Sequence, residues 1–306
     1  MSGSQWAILL RAMTMLPIDP RSTGAEMEVL WLGQADASDP ERVGGKAANL
    51  SRMAASFNVP PGFALAWQTS APEVDNDALS RAYARLAELT GVEEPAVAVR
   101  SSAVDEDGVD SSFAGQHDTY LNIRGARAIA HAVGRCIDSF FSERALHYRR
   151  MRGLPPVPAR MAVLVQWLVP ADASGVVFGA NPVTHDLEEI VINSSWGLGE
   201  SIVGGSVTPD TWIVAREEAR PIEAIISDKR RMTVPVPDGT IEVGVPSSLA
   251  QVLSIDERQA RAAAQLALDL EDEMGWPVDA EFAFGDGQLF LLQCRPITTL
   301  QGADPR

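Results

Sequence analysis

The strongest constraint on the fold of this chain is a stretch near its C-terminus in which apolar and polar residues alternate. The alternation runs from Val278 to Phe284, a turn signal follows at Gly285 to Gly287, and the run from Gln288 to Arg295 is mostly apolar. Side chains of a β-strand point alternately to the two faces of its sheet. The pattern therefore predicts an antiparallel hairpin with one buried face and one polar face.

The polar face of this hairpin is its most informative part. A three-residue turn pairs Phe284 with Gln288, and in that register Glu281 faces Leu291. Four polar side chains then share one face: Asp279, Glu281, Gln293 and Arg295. Two carboxylates, an amide oxygen and a guanidinium are suited to Mg²⁺ and to a phosphate chain. A solvated edge hairpin that carries an ion pair would explain the same residues.

The charge and cysteine content exclude several classes of function. Among the 306 residues, 25 are Lys or Arg and 41 are Asp or Glu, so the formal net charge is −16. So acidic a chain repels phosphate backbones and anionic lipids, which argues against nucleic acid or a membrane surface as a partner. The two cysteines, Cys136 and Cys294, are far apart, which excludes a disulfide scaffold and a cysteine zinc site. Since no apolar run approaches about 18 residues either, we expect a cytoplasmic protein.

An anionic ligand would need a few cations placed close to it, and Lys46 is the first candidate. It follows Gly44 and Gly45 in a segment that we interpret as a tight turn feeding a helix, where backbone N–H groups and an ammonium can meet phosphates. The segment is not a P-loop, because that motif requires Gly where Pro40 stands and Ser or Thr where Ala47 stands. Taken alone, Gly-Gly-Lys is explained better by an ordinary helix start.

Two further segments have the composition of ligand-binding loops. Arg100 ends a predicted strand over residues 96–99, and the hydroxyl- and glycine-rich segment from Ser111 to Thr119 follows it. Small residues let backbone N–H groups close over a phosphate. The glycine-rich segment 197–205 carries the carboxylate of Glu200. A surface arginine and a turn between strands would explain these two features without a ligand.

The remaining patterns predict a mixture of helices and strands in two lobes. We predict one long helix over residues 126–150, an apolar strand over 161–169, and a Pro/Gly-rich loop over 235–246. A further helix opens with a capping box at Ser254 to Glu257 and ends at Gly275. The limits that we place on the parts of the chain are 1–26 for an N-terminal extension, 27–168 and 169–300 for the two lobes, and 301–306 for a tail.

Several motifs, taken together and in order, resemble one known family. They are Val43-Gly-Gly-Lys-Ala-Ala-Asn-Leu50, Val59-Pro-Pro-Gly-Phe63, Val99-Arg-Ser-Ser-Ala103, Ser112-Phe-Ala-Gly-Gln-His-Asp-Thr-Tyr-Leu-Asn122, Ser174-Gly-Val-Val-Phe178, Asn181-Pro-Val-Thr184, Ser195-Trp-Gly-Leu-Gly-Glu200 and Leu292-Gln-Cys-Arg-Pro-Ile-Thr298. The set resembles the N-terminal ATP-binding domain of the phosphoenolpyruvate synthase, pyruvate phosphate dikinase and rifampin phosphotransferase family. The resemblance covers residues 29–299.

The resemblance implies an ATP-grasp fold of the α+β class, in which two lobes hold ATP and Mg²⁺ between them. The phosphate contacts that it implies, and with them the catalytic roles, belong to Lys46, Arg100 and Arg295. Gly115 and Thr119 would lie in the loop over the triphosphate.

The same resemblance implies roles for residues that bind the base and the metal. Gln166 would read the adenine edge, and Glu281 and Gln293 would hold Mg²⁺. Asp279 and Glu200 match acidic positions of the family whose roles are less defined.

The activity that the resemblance implies needs parts that are not found in this sequence. In the family, a swivelling domain carries a histidine that takes the β-phosphate of ATP, which leaves AMP and releases phosphate, and the histidine then passes its phosphate to a small molecule. No Thr-Ser-His-Ala type segment surrounds any of the 4 histidines, and the sequence stops at Arg306, where the family's linker would begin. We therefore expect a component that acts with a phosphohistidine protein in trans, or with further domains of a longer enzyme. Gly179 is a smaller departure, since family members often have Thr there.

Two other functions are compatible with the sequence. One is a free-standing ATP-grasp kinase or ligase that acts directly on a small molecule, with ADP rather than AMP as its product. The other is a protein that binds ATP without turnover. We rank this last reading lowest, because a degenerate enzyme would have lost some of the phosphate- and metal-facing residues, and here each of these positions keeps a suitable side chain.

Overall fold

The computed structural model of the chain describes residues 27–67, 73–102, 119–151, 153, 161–297 and 300. Within these ranges the strands are β1 (Glu28–Trp31), β2 (Gly62–Trp67), β3 (Val97–Ser101), β4 (Thr119–Ile123), β5 (Met161–Trp167), β6 (Ala173–Phe178), β7 (Glu189–Trp196), β8 (Asp210–Ala215), β9 (Arg220–Ile225), β10 (Arg231–Val236), β11 (Gly239–Gly244), β12 (Val278–Gly285) and β13 (Gln288–Pro296). The helices are α1 (Pro40–Met53), α2 (Asn76–Thr90), α3 (Ala126–Ser139), α4 (Glu143–Met151), α5 (Glu200–Val203) and α6 (Glu257–Met274).

The described strands form two sheets and a separate hairpin. The first sheet has five strands in the order β1-β2-β5-β3-β4, and the second has six in the order β13-β12-β6-β7-β8-β9. Strands β10 and β11 pair only with each other as a ladder, and the pairings in all three units are antiparallel. Helices packed on antiparallel sheets define the α+β class, so the predicted class is confirmed.

Helix α1 packs against both sheets. Its buried residues Val43, Ala47 and Leu50 belong to one core that also includes one face of each sheet and helix α6. On α1, Nδ2 of Asn49 donates to the carbonyl oxygen of Cys294 in β13 at 3.2 Å. The other face of the first sheet packs on α2 and α3. One core thus fixes α1 relative to both sheets, and the division of the chain into lobes 27–168 and 169–300 stays a prediction.

Helix α6 covers one face of the second sheet and leaves the opposite face for the candidate site. Small and apolar residues at helical spacing form its buried stripe: Ala260, Ala263, Ala264, Ala267 and Leu270. The capping box is formed by Asp256 and Gln259, whose side chains each accept the other's backbone N–H. The predicted box that opens at Ser254 is therefore wrong. Gly275 ends the helix with φ 77°, as the sequence predicts.

Two predicted elements differ from those observed. The helix predicted over 126–150 is two helices, α3 and α4, because the chain bends after Ser139 and buries Phe140 against Met161. The loop predicted over 235–246 instead includes the end of β10, the turn and all of β11, and in this hairpin Pro235 lies opposite Thr240. Proline is tolerated in a strand with a free edge, and both strands of an isolated hairpin have one. Among the described helices, none combines the length and the apolar character that crossing a membrane requires.

The second sheet also holds a buried ion pair that the sequence did not reveal. Nζ of Lys229 lies 2.5 Å from Oδ1 of Asp210, and both side chains are 0% exposed. Asp210 also accepts the backbone N–H of Ser227 and both the N–H and the hydroxyl of Ser254. Both carboxylate oxygens of Asp210 therefore accept hydrogen bonds. The two bonds from Ser254 hold the start of β8 against the segment that leads into α6.

Candidate functional site

The polar face predicted from alternation is present on strands β12 and β13. Asp279 lies directly opposite Arg295, and Glu281 lies directly opposite Gln293. The four side chains are half-buried, whereas Ala280 between the two carboxylates points into the core beneath α6. Alternation thus identified the correct face of the hairpin.

The turn that joins the two strands is shorter than predicted. It has two residues, Asp286 and Gly287, with φ of 49° and 72°. Asp-Gly is a favoured sequence for such a turn, because two positive φ angles match the twist of the flanking strands. The predicted three-residue turn, which paired Phe284 with Gln288, is therefore wrong.

A β-bulge keeps the four polar side chains on one face of the hairpin, which the shorter turn alone would not do. With regular pairing from a two-residue turn, Glu281 would face Leu292, and Gln293 would point into the core. Leu292 is instead an extra residue, since Phe282 pairs with Leu291 and Glu281 pairs with Gln293. The predicted pairing of Glu281 with Leu291 is thus wrong, and the bulge is what brings the carboxylates opposite the amide and the guanidinium.

An ion pair lies at one end of this face. Nε of Arg295 donates to Oδ2 of Asp279 at 2.9 Å. Burial raises the pKa of Asp279, the pairing with Arg295 opposes that shift, and the charge of Glu281 adds to it. The charged form of Asp279 is therefore disfavoured chiefly by burial and only in smaller part by Glu281, so an additional cation at this face would stabilise it.

Arg100, in β3 of the first sheet, reaches across to the same face. Its Nη1 lies 3.5 Å from Oε2 of Glu281, and the two side chains are 15% and 22% exposed. Nε of Arg100 is buried and has no hydrogen-bond partner among the described residues. An unused buried donor costs free energy unless a ligand supplies an acceptor. The two sheets therefore present a cation and a carboxylate to one shared space.

Glu281 and Gln293 have the oxygen atoms that Mg²⁺ requires. In the described part of the chain the side-chain amide of Gln293 makes no hydrogen bond, so its oxygen is available beside the carboxylate. Over the same residues, no three His, Cys, Asp or Glu side chains are grouped closely enough to enclose a metal ion. Mg²⁺ often has only one or two protein ligands and shares the rest of its coordination with phosphates and water. The residues present fit an ion of that kind.

Lys46 lies just after an interruption in helix α1. The helix begins at Pro40 with Asp39 as its N-cap, and it is broken at Gly44, where φ is 75° and ψ is 166°. A residue without a Cβ adopts this conformation at little cost. The glycine turn predicted before the helix is therefore inside it, and Lys46 lies at the start of the second helical segment, where N–H groups favour an anion.

Ser102 joins this second helical segment to β3. Its Oγ accepts the N–H of Ala47 at 3.2 Å and donates to the carbonyl oxygen of Val43 at 2.6 Å. The contact brings the Lys46 end of α1 next to the Arg100 end of β3. Sequence reasoning did not assign this role to Ser102, although Ser102 belongs to the motif Val99-Arg-Ser-Ser-Ala103.

Thr119 and Gly115 were predicted to lie in a loop over phosphates. Thr119, at the start of β4, pairs directly with Arg100, so the structure brings these two predicted residues together. Gly115 lies outside the described residues, and its position stays a prediction.

An apolar cluster extends the polar face along the hairpin. Its buried residues are Val169, Ala283 and Phe290, and Trp167 and Leu292 pack against them. Ala283 shares the face of Glu281, because it lies two residues further along β12. An apolar surface next to charged groups suits a ring that is attached to a phosphate chain.

Gln166 lies one residue before this cluster, in β5. It is 2% exposed, and its Nε2 donates to the carbonyl oxygen of Pro60 at 3.3 Å. This bond fixes the side chain at the junction of the two sheets. Its predicted contact with adenine stays a prediction.

Glu200 is not joined to the hairpin residues by any described hydrogen bond or ion pair. It lines a cavity of about 330 Å³ between α5 and the β10–β11 hairpin. Its Oε2 accepts the hydroxyl of Thr240 at 3.1 Å. Across the cavity, hydrogen bonds from Ser206 and Arg231 lower the pKa of Glu242. Among the described residues that line this cavity, none belongs to the β12–β13 hairpin, and the nucleotide contact predicted for Glu200 stays a prediction.

Comparison with known proteins identifies a family. The family described as pyruvate phosphate dikinase, AMP/ATP-binding domain, matches residues 65–306. A probable phosphoenolpyruvate synthase of Methanocaldococcus jannaschii is 35% identical over 89% of this chain and 27% of its own length. The phosphoenolpyruvate synthase of Pyrococcus furiosus is 42% identical over 73% of this chain and 28% of its own length. The chain thus spans little more than a quarter of the length of these relatives.

A solved structure also aligns with the chain. The alignment with the D-alanine–D-alanine ligase from Bacillus anthracis covers 86% of this chain and 58% of the ligase chain. The sequence identity is 9% and the TM-score is 0.35, and so distant a similarity supports no conclusion.

Proposed function

The chain belongs to the family of pyruvate phosphate dikinase AMP/ATP-binding domains, and from this we propose that it binds ATP with Mg²⁺ and transfers the β-phosphate to a histidine. The products would be AMP and inorganic phosphate, and the phosphohistidine would pass its phosphate to a small molecule. The ATP-grasp arrangement expected for the family places the nucleotide between the two sheets.

The observation that supports this proposal most directly is the meeting of Arg100 and Glu281. They belong to different sheets, yet Nη1 and Oε2 are 3.5 Å apart, and Nε of Arg100 lacks a partner among the described residues. A donor without an acceptor, next to a carboxylate and the free amide oxygen of Gln293, is the pattern that a phosphate with a divalent cation would complete.

The residues of this chain would act mainly by binding and orienting the triphosphate. Lys46, Arg100 and Arg295 would contact phosphate oxygens, and the ion pair with Asp279 holds Arg295 in place. Phosphoryl transfer depends chiefly on alignment and on stabilising the charge of the equatorial oxygens. Holding the β-phosphorus in line with an incoming histidine is therefore the proposed task of these side chains.

Mg²⁺, when bound, would neutralise part of the phosphate charge, and Glu281 and Gln293 are the residues that would hold it. At the other end of the site, Gln166 and the apolar cluster around Phe290 would receive the adenine ring. Thr119 and the segment that contains Gly115 would cover the phosphates. Glu200, which lines the cavity beside the β10–β11 hairpin, would be a further residue of the nucleotide site, with no defined contact.

The acceptor histidine is expected on a swivelling domain, in a partner protein or elsewhere in a longer polypeptide. Of the histidines within the described residues, His131 and His147 lie on helices α3 and α4, and His185 lies between β6 and β7. None of these belongs to the set of residues around Glu281. The relatives are more than three times as long as the part that this chain matches, which is consistent with an acceptor elsewhere.

The test uses ATP labelled at the β-phosphate, incubated with the purified protein, Mg²⁺ and an extract of the source cells. We expect AMP together with an acid-labile label on a second protein. The variant Glu281→Gln should give neither product. Formation of ADP with no labelled protein would overturn the dikinase proposal in favour of a kinase or ligase that acts directly on a small molecule.

A further inference from the structure

Asn193 lies in the same row of the second sheet as Glu281. Neighbouring strands place four residues side by side: Glu281, Val176, Asn193 and Thr211. Directly paired residues point to the same face. The two polar side chains beyond Val176 are therefore on the face that Arg100 reaches. Because adjacent strands are about 4.8 Å apart, the backbones of Glu281 and Asn193 are separated by about 10 Å.

The side-chain amide of Asn193 is held in one orientation. Oγ1 of Thr211 donates to Oδ1 of Asn193 at 2.9 Å. With its oxygen turned towards β8, the amide nitrogen is turned back towards the strands that carry Val176 and Glu281. In the described part of the chain this nitrogen makes no hydrogen bond, and the side chain is half-buried. The face thus presents an oriented donor that has no acceptor.

We propose that Asn193 binds the terminal phosphate of the bound nucleotide, and that Thr211 is a positioning residue that orients its amide. The proposal rests on the proposed function, since it takes the triphosphate to lie on the face of Glu281. A triphosphate that starts at Glu281 and Gln293 and runs across the strands would have its far end over Val176, within reach of Asn193.

The chemistry of the amide suits this position. Its N–H would form a charge-assisted hydrogen bond to a phosphate oxygen, which orients that group. A guanidinium would bind the same oxygen more strongly than a neutral amide does. In the proposed reaction the terminal phosphate is the group that departs as inorganic phosphate, so a weaker, neutral contact would orient it without retaining it.

The test measures the affinity of wild type and variants for ATP, ADP and AMP in the presence of Mg²⁺ by isothermal titration calorimetry. Asn193→Ala should weaken ATP binding by roughly tenfold or more, the effect expected when a hydrogen bond to a charged group is lost. AMP binding should stay within about twofold. Asn76→Ala, a change of the same type at the exposed start of α2, should alter none of the affinities.

Thr211 provides a second, independent arm of the test. Thr211→Val removes the orienting hydroxyl while keeping the shape of the side chain, and we expect a smaller loss that is again confined to ATP. Thr211→Ser keeps the hydroxyl, so its affinity for ATP should equal that of wild type. A purely structural role for the pair would change the binding of ATP and AMP alike.

Two results would overturn the inference. One is ATP affinity in Asn193→Ala equal to that of wild type, and the other is an equal loss for ATP and AMP. The titration of wild type separates failure of this inference from failure of the proposed function. If wild type does not bind Mg·ATP, both proposals are contradicted, whereas if it binds Mg·ATP, the variants test the inference alone.

Discussion

Lys229 and Arg100, two cations with buried nitrogen atoms, are held in opposite ways. Lys229 meets Asp210, whose oxygens are also satisfied by Ser227 and Ser254. Arg100 has a longer ion-pair contact of 3.5 Å, and its Nε has no partner among the described residues. A fully satisfied buried pair serves the folded structure, whereas an unsatisfied buried donor points to a ligand.

Replacing Lys229 by Met should destabilise the protein strongly. The change leaves the carboxylate of Asp210 buried without a counter-charge, which typically costs about 3–5 kcal/mol. The free energy of unfolding in urea is the measurement. Arg230→Met is the matched control, because that side chain is 83% exposed and its ion pair with Asp228 should contribute less than about 1 kcal/mol. Equal stabilities of the two variants would show that the buried pair is not important for folding.

The sequence identified some functional residues and not others, for reasons that depend on the range of their contacts. Asp279, Glu281, Gln293 and Arg295 follow from alternation within one hairpin. Ser102, Asn193 and Lys229 were missed because their partners lie 59, 18 and 19 residues away. Only the folded chain shows which of several serines, asparagines and lysines acquires such a partner.

At the scale of secondary structure, the β12–β13 hairpin shows what a local pattern can and cannot predict. Alternation predicts which residues share a face, and Asp286-Gly287 is a turn signal. The bulge at Leu292 is not encoded by alternation, because it depends on how Leu292 packs against the cluster of Val169 and Phe290. The predicted register was therefore wrong by one residue between the turn and Phe282 and by two residues from Glu281 onward, and because a shift of two preserves the face, the face was right.

The β10–β11 hairpin links the two sheets through one asparagine. Nδ2 of Asn122, in β4 of the first sheet, donates to the carbonyl oxygens of Val236 and Gly239 at 2.5 Å and 2.7 Å. Asn122 is 3% exposed and has φ 56°, a conformation that Asn and Gly adopt more readily than other residues. On its other side the hairpin is bridged through Thr233 to Gly197 and Leu198, just after β7 of the second sheet, so it connects the two sheets separately from helix α1.

Replacing Asn122 by Gly should release the β10–β11 hairpin from the first sheet. Glycine keeps the backbone conformation, so the variant isolates the loss of the two hydrogen bonds. We expect amide hydrogen exchange over residues 231–244 to become about tenfold faster, as lowered local stability requires. Exchange in β12 and β13 should not change, and it serves as the internal control. Unaltered exchange over 231–244 would mean that the hairpin is held by other contacts.

At the scale of the whole molecule, a few cations lie where the two sheets meet. The chain has a net charge of −16, yet Arg100 and Arg295 lie on or beside the face of Glu281, and α1 brings Lys46 to the same side. An acidic surface around a few local cations disfavours non-specific binding of polyanions and keeps a specific site for a small one. Such a distribution would allow so acidic a protein to bind the nucleotide that we propose.

The overall class was predictable, but the order of the strands was not. Local patterns predicted a mixture of strands and helices, and the resemblance to the family implied the α+β class. The insertion of β5 between β2 and β3 depends on pairings across up to about a hundred residues of chain, such as Gly62 with Gln166, which no local pattern encodes. The placement of α1 between elements of both sheets likewise arises only from tertiary packing.

The central claim is that one face of β12 and β13 binds ATP together with Mg²⁺, and equilibrium titration of ATP with and without Mg²⁺ tests it most directly. Wild type should bind ATP more tightly when Mg²⁺ is present, and Glu281→Gln should lose that dependence. Glu223→Gln makes the same change at an exposed carboxylate on the opposite edge strand of this sheet, so it should behave like wild type. ATP binding that is independent of Mg²⁺ in wild type, or that is unaffected by Glu281→Gln, would contradict the account.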